Sequence, residues 1–198
     1  MKQERIWPLL TACILSLSIA GCGTSAPVRY YGLVPVETET RFPVTEQFVI
    51  SVGPVRIAEY LNRYQIVTRS EDVSMKLGDY DRWTEPLAKA FQRTLTDNLA
   101  TLLGSDRVLE FPAQSALDSG YQLPAQVTRF DTDSTGAAVL EVQWTLRTID
   151  DKTILPARRS RYTTRVAEPN DYASIVAALS ELVGAFSRDV ASELAELP

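Results

Sequence analysis

The chain has 198 residues, of which 45% are hydrophobic, and 20 Lys plus Arg stand against 25 Asp plus Glu for a formal charge of -5. That acidic balance gives no footprint for nucleic acid, and the lack of any histidine excludes a His-based triad and every His metal site. The length suits one domain with a sizeable core.

The first predicted element is a targeting segment over residues 1–21. Lys2 and Arg5 supply a basic start, partly offset by Glu4. An apolar run follows from Ile6 to Ile19, 14 residues (19 − 6 + 1). A membrane-spanning helix needs about 20 apolar residues, so this run fits the core of a secretory signal instead. It ends in Ile19-Ala20-Gly21-Cys22. The pattern of apolar, small, small, Cys resembles the bacterial lipoprotein signal. That resemblance implies cleavage before Cys22, a diacylglyceryl thioether on its sulfur, and acylation (palmitate or a similar chain) of the new amine. The alternative is an ordinary signal peptide, or a buried apolar segment in which Cys22 falls by chance. The spacing and the tether-like residues that follow favour the lipoprotein signal. Gly23 stands where an Asp often retains such proteins at the inner membrane, which points to the outer membrane.

Removal of residues 1–21 leaves 177 residues (198 − 21) and, because that piece carries a net +1, a charge near -6. Cys13 leaves with the signal and Cys22 is lipidated, so the folded part has no disulfide and depends on its core. Residues 22–29 read as a lipidated tether and residues 30–198 as a single domain.

Arg29-Tyr30-Tyr31-Gly32-Leu33 is strand-like, and Pro35 with Glu37-Thr38-Glu39-Thr40 ends it as a loop. Phe48 to Val55 predicts a strand with Phe48, Ile50 and Val52 on one face and Val49 and Val55 on the other. A turn over Ile57 to Leu61 leads to a strand at Tyr64–Arg69 and another at Val73–Leu77, where Gly78-Asp79-Tyr80-Asp81 breaks the pattern. Thr84 is the expected cap of a first helix, with Pro86 in its first turn and Gly104 as its stop. Leu87, Phe91, Leu95, Leu99 and Leu102 form its apolar stripe. Arg107–Phe111 is a short strand. Tyr121, Leu123, Ala125 and Val127 alternate, Phe130 falls out of phase as at a bulge, and Pro124 argues for an edge or an irregular start.

Ala138, Leu140, Val142, Trp144 and Leu146 then alternate with polar residues, which predicts a long hairpin across a turn at Asp131–Gly136. That turn is the nearest approach to a calcium loop, but Thr135 and Val142 stand where ligands are needed. A return strand from Ile154 to Val166 carries Arg158, Arg159, Arg161 and Arg165, a cluster most simply read as a solvated sheet face, with a binding patch as the alternative. Asn170 is the expected cap of a last helix with Tyr172, Ile175, Leu179, Leu182, Phe186 and Val190 on its stripe, widened by Val176 and Val183. The fold class is therefore α/β of the α+β type: a two-layer domain, its sheet mostly antiparallel or mixed, covered by two main helices.

The serines have no histidine to activate them, and Asp79/Asp81 and Asp150/Asp151 read as turn residues. No metal or cofactor site is expected, and by elimination the chain reads as a binding or assembly component. The string Glu59 to Arg69 mixes Tyr60 and Tyr64 with Arg63 and Arg69, a composition favoured at interfaces. Ordinary strand-and-turn structure is the alternative.

Five stretches together resemble one family: Tyr30-Tyr31-Gly32-Leu33, Ile50-Ser51-Val52-Gly53-Pro54-Val55, the string Glu59 to Arg69, Arg82-Trp83-Thr84-Glu85-Pro86-Leu87, and Gln126-Val127-Thr128-Arg129-Phe130. The sequence resembles the PqiC-type lipoproteins, the ABC-type transport auxiliary lipoprotein component. It departs from them at Ala58 and Tyr64, where the family often has Pro. The resemblance implies a non-enzymatic, periplasm-facing lipoprotein on the outer membrane. It would work beside inner-membrane transport components and dock an MCE-domain tunnel protein that moves lipids or other hydrophobic molecules. The docking face is expected to include Tyr60, Arg63, Arg69 and Trp83, although Trp83 could instead staple the first helix to the sheet. A homo-oligomer matching a symmetric partner is possible. The rival readings are an envelope assembly lipoprotein serving an outer-membrane barrel, and direct lipid carriage.

Overall fold

The computed structural model describes residues 26–42, 44, 49–70, 73–113, 120–148 and 150–197. The targeting segment, Cys22 and Phe48 lie outside the described residues. The architecture is an eight-stranded mixed sheet with two helices on one face.

The sheet is built around β6 (Tyr121–Thr132), which pairs antiparallel with β7 (Ala137–Thr148); β7 in turn pairs antiparallel with β8 (Thr153–Arg165). The β6–β7 turn is tighter than the expected Asp131–Gly136, because Asp131 and Thr132 belong to β6 and pair with Val139 and Ala138. Asp133 Oδ1 accepts from the Thr135 and Ala137 amides at 2.9 and 3.1 Å, and Gly136 supplies a φ of 78°. The ladder slips between Val127 and Arg129, the bulge that puts Phe130 back on the core face.

On its other side β6 serves two partners end to end. Its first half pairs in parallel with β2 (Ile50–Ile57), which also pairs in parallel with β5 (Val108–Glu110). Its far end meets β3 (Gln65–Arg69), which leads outward to β4 (Met75–Trp83) and β1 (Arg29–Tyr31). Pro124 is therefore interior, not at an edge. It is tolerated because both ladders are interrupted beside it, between Gln122 and Ala125 on one side and opposite Gly53-Pro54 on the other.

A second correction concerns β4. The expected break at Gly78–Asp81 is a wide bulge within one strand: from Leu77 to Arg82 takes five steps, while the partner goes from Val67 to Gln65 in two. Asp81 turns inward there, taking Arg29 Nε and Nη2 at 2.8 and 3.0 Å and the Tyr31 hydroxyl at 2.9 Å.

The two helices are α1 (Leu87–Leu103) and α2 (Tyr172–Ala195), and both stripes are buried as the periodicity demands. Phe91 packs edge-on to Phe130 at 5.6 Å, and Phe186 meets Trp144 at 5.9 Å, so the aromatic centre of the core joins both helices to the sheet. The caps differ from expectation. Thr84 does not cap α1; Pro86 occupies the cap position with no side-chain bond. Asp171, not Asn170, caps α2 by accepting from the Ser174 amide at 2.9 Å. A carboxylate one residue closer to the first turn is the better acceptor there. Gly104 ends α1 in the left-handed conformation, as expected.

The expected loop after β1 has no regular structure, yet it is a strap that crosses both helices. The Val34 amide donates to Ser180 Oγ at 3.1 Å and the Val36 amide to Asn98 Oδ1 at 2.7 Å. Asn98 Nδ2 reaches across to Ser187 Oγ at 3.0 Å, and the Phe42 amide donates to the Leu102 carbonyl at 2.7 Å. Gly184 makes the approach possible, since a Cβ there would lie 2.3 Å from Val36 Cγ1.

Candidate docking site

The connection from β2 to β3 passes through a 3-10 turn, Glu59–Leu61, and an exposed stretch to Tyr64. Leu61 is buried in the hydrophobic core, while the Tyr60 hydroxyl turns toward β6.

Tyr60 meets Asp131, a carboxylate with no exposure at all next to the last residue of β6. The bulge at Thr128 decides this, because it sets Phe130 on the core side and Asp131 on the opposite face. The Tyr60 hydroxyl donates to Asp131 Oδ2 at 2.8 Å, Arg69 Nε reaches both oxygens at 3.0 Å, and Arg129 Nε donates to Oδ1 at 2.9 Å. Two guanidinium groups and a phenol thus satisfy the buried charge. Arg69 also donates to the Tyr60 hydroxyl at 3.3 Å and lies over its ring at 5.5 Å. Burial first, and then the bond to Asp131, push the Tyr60 phenol up to about 12. The arrangement holds Tyr60 and Arg69 in place, and the Tyr60 phenol keeps its proton near neutral pH.

The expected site residues therefore separate. Tyr60 and Arg69 come together on Asp131, while Arg63 stands exposed on the rim beside Tyr64, which is 55% exposed. Trp83 is 3% exposed and packed in the core; its amide donates to the Tyr64 carbonyl at 2.7 Å and so fixes the rim from beneath. Asp131 and Arg129 are the residues that sequence reasoning missed. The available signal was a carboxylate two residues beyond an arginine, next to Phe130 at the end of the strand.

A cavity of about 370 Å³ opens at the same end of the sheet, lined by Thr68, Arg69, Lys76, Thr132, Asp133 and Tyr172 among others. Among the described residues no group of three His, Cys, Asp or Glu side chains could hold a metal ion, and no helix is long and apolar enough to cross a membrane.

The fold is that of a small two-layer α+β domain. The chain belongs to the family of ABC-type transport auxiliary lipoprotein components, whose family model matches residues 31–191. It is thus a non-enzymatic auxiliary component of a transport system. Among proteins of curated function none matches this sequence. Two solved structures share the fold. One, an uncharacterized protein, is 22% identical with a TM-score of 0.71, covering 85% of this chain and 99% of its own. The other, from Xanthomonas campestris, is 15% identical with a TM-score of 0.63, covering 83% of this chain and 94% of its own.

Proposed function

We propose that this protein is anchored through lipid on Cys22 in the outer membrane, faces the periplasm, and docks an MCE-type tunnel protein as part of an ABC-type system that moves lipids or other hydrophobic molecules between membranes. The family match across residues 31–191 carries the reading. The rim supports it: Arg63 and Tyr64 are exposed, Tyr60 and Arg69 are held in place by Asp131, and Trp83 supports them from the core. Preorganised aromatic and arginine side chains lose little freedom on binding. The polar lining of the 370 Å³ cavity favours docking over carriage of an acyl chain in this domain.

The test is crosslinking of the intact lipoprotein in its native envelope, followed by detergent purification and mass spectrometry. An MCE-domain protein is the expected dominant partner, with weaker capture for Arg63→Ala. A barrel protein in its place, with no MCE protein above background, would overturn this reading in favour of envelope assembly. Cys22→Ala is expected to abolish acyl labelling and to release the protein from the membrane fraction.

A further inference from the structure

We propose that the open face of the sheet, centred on the cross-strand row Arg56–Gln126–Gln143–Arg159, receives an acidic segment of the partner protein. This deepens the docking reading above and rests on it.

The row follows from register. Arg56 of β2 stands opposite Gln126 of β6, Gln126 opposite Gln143 of β7, and Gln143 opposite Arg159 of β8. All four point away from the helices, because their strand neighbours Val55, Ala125, Val127, Val142 and Trp144 are buried in the core. Four adjacent strands span three gaps of about 4.8 Å, so the two arginines stand about 14 Å apart. The Gln143 amide, with its oxygen toward Arg159, accepts from that guanidinium at 2.6 Å. Beside the row lies a shallow cavity of about 290 Å³. Pro54 and Pro124, which lack amide hydrogens, interrupt the ladders at its wall.

The charges are sorted by face. Toward the helices, Arg158 is paired with Glu193 and Tyr162 donates to Asp189 at 2.7 Å. On the open face Arg161 has Glu141 and Arg129 has Asp131, but among the described residues neither Arg56 nor Arg159 has a carboxylate within ion-pair distance. A chain of net charge -5 therefore holds guanidinium groups without a carboxylate partner at both ends of one row. Such forks fit carboxylates, and the amides between them can donate to and accept from a peptide backbone. An extended chain advances about 3.3 Å per residue, so carboxylates about four residues apart would reach both arginines. A protein segment suits this face better than a bilayer. None of the exposed large apolar side chains lies on the row, and an acidic protein is repelled by anionic lipid.

A photo-crosslinker placed at Gln126 in the full lipoprotein, within the envelope, tests the inference, with a second crosslinker at Tyr64 on the rim as reference. The expected product joins position 126 to a partner peptide with acidic residues about four apart. The pair Arg56→Glu and Arg159→Glu should reduce that product about tenfold. If the doubly reversed protein does not fold, Arg56→Gln with Arg159→Gln should still reduce it several-fold. Capture of the MCE protein from position 64 but not from 126, or capture at 126 that ignores the arginines, overturns the surface and leaves the docking reading standing. Capture at 126 of an acidic segment from another protein keeps the surface and overturns the tunnel partner. Silence at both positions overturns both. Flotation with phosphatidylglycerol vesicles that is lost in the double variant, without a protein product, replaces the partner segment with a membrane and overturns the inference.

Discussion

The strap across the helices makes a prediction whose sign depends on a neighbour. Gly184 lies within α2, where Ala is normally better than Gly by about 1 kcal/mol. A Cβ at Gly184 would, however, lie 2.3 Å from Val36 Cγ1, against about 3.5–4.0 Å for an ordinary carbon contact, so the strap must move by more than an ångström. Overpacking of this kind costs about 1–3 kcal/mol. Gly184→Ala should therefore destabilise the wild-type protein by about 0–2 kcal/mol. In a Val36→Ala background the clashing atom is gone, and the remaining contacts, Arg188 Nη1 at 3.6 Å and the Cβ of residue 36 at 3.8 Å, are ordinary. There Gly184→Ala should stabilise, by up to about 1 kcal/mol. Urea unfolding followed by tryptophan fluorescence on the two single variants and the double gives the cycle. A Gly184→Ala change that stabilises the wild type, or that has equal effect in both backgrounds, would refute the seating of the strap against α2.

Asn98→Ala removes the acceptor of the Val36 amide and the bridge to Ser187, and should cost about 2 kcal/mol while exposing residues 32–42 to limited proteolysis. Asp131→Asn keeps the shape but removes the charge that two guanidinium groups face. A cost of about 2–3 kcal/mol in urea unfolding is expected, below that of a fully buried pair because Arg69 and Arg129 are 32% and 20% exposed. The raised Tyr60 phenol makes the folded state hold a proton that the unfolded chain releases near pH 10. Its contribution to stability is thus complete below about pH 10 and is lost as pH rises toward about 12, which alkaline unfolding should show. Near-ultraviolet titration should place that phenol lower in Asp131→Asn, though still above an exposed tyrosine because burial remains.

The legible parts of the fold were those where one face is buried and the other wet. The alternation of β7 and the stripes of α1 and α2 could be read directly because each side chain answers to only one boundary. The slip at Phe130 marked the bulge for the same reason. Where a segment answers to two boundaries the pattern fails. Residues 32–42 carry no period because they are held by single amides to Asn98, Ser180 and Leu102. Their trace lay in α2 instead, where Ser180, Gly184 and Ser187 make a second, small-residue strip away from the apolar stripe. Pro124 signals either an edge or an irregular strand, and the second holds: two interrupted ladders accommodate it inside. In the candidate site, Tyr60 and Arg69 were identified by composition, but their common partner was not. Asp131 is brought to them by a bulge, and the strand Met75–Trp83 crosses a second bulge to carry Trp83 into the core.

The path of the chain also orders how the domain meets a pull on its N-terminus. Tension ahead of Arg29 acts first on β1, which is held to β4 by a three-residue ladder and by the grip of Arg29 and Tyr31 on Asp81. Only when β1 has peeled away does the load reach the strap and its separate attachments to the two helices. The aromatic core and the open face of the sheet come last in the series. The first residues of the domain thus work as a graded coupling, yielding in stages while the surface behind them keeps its shape.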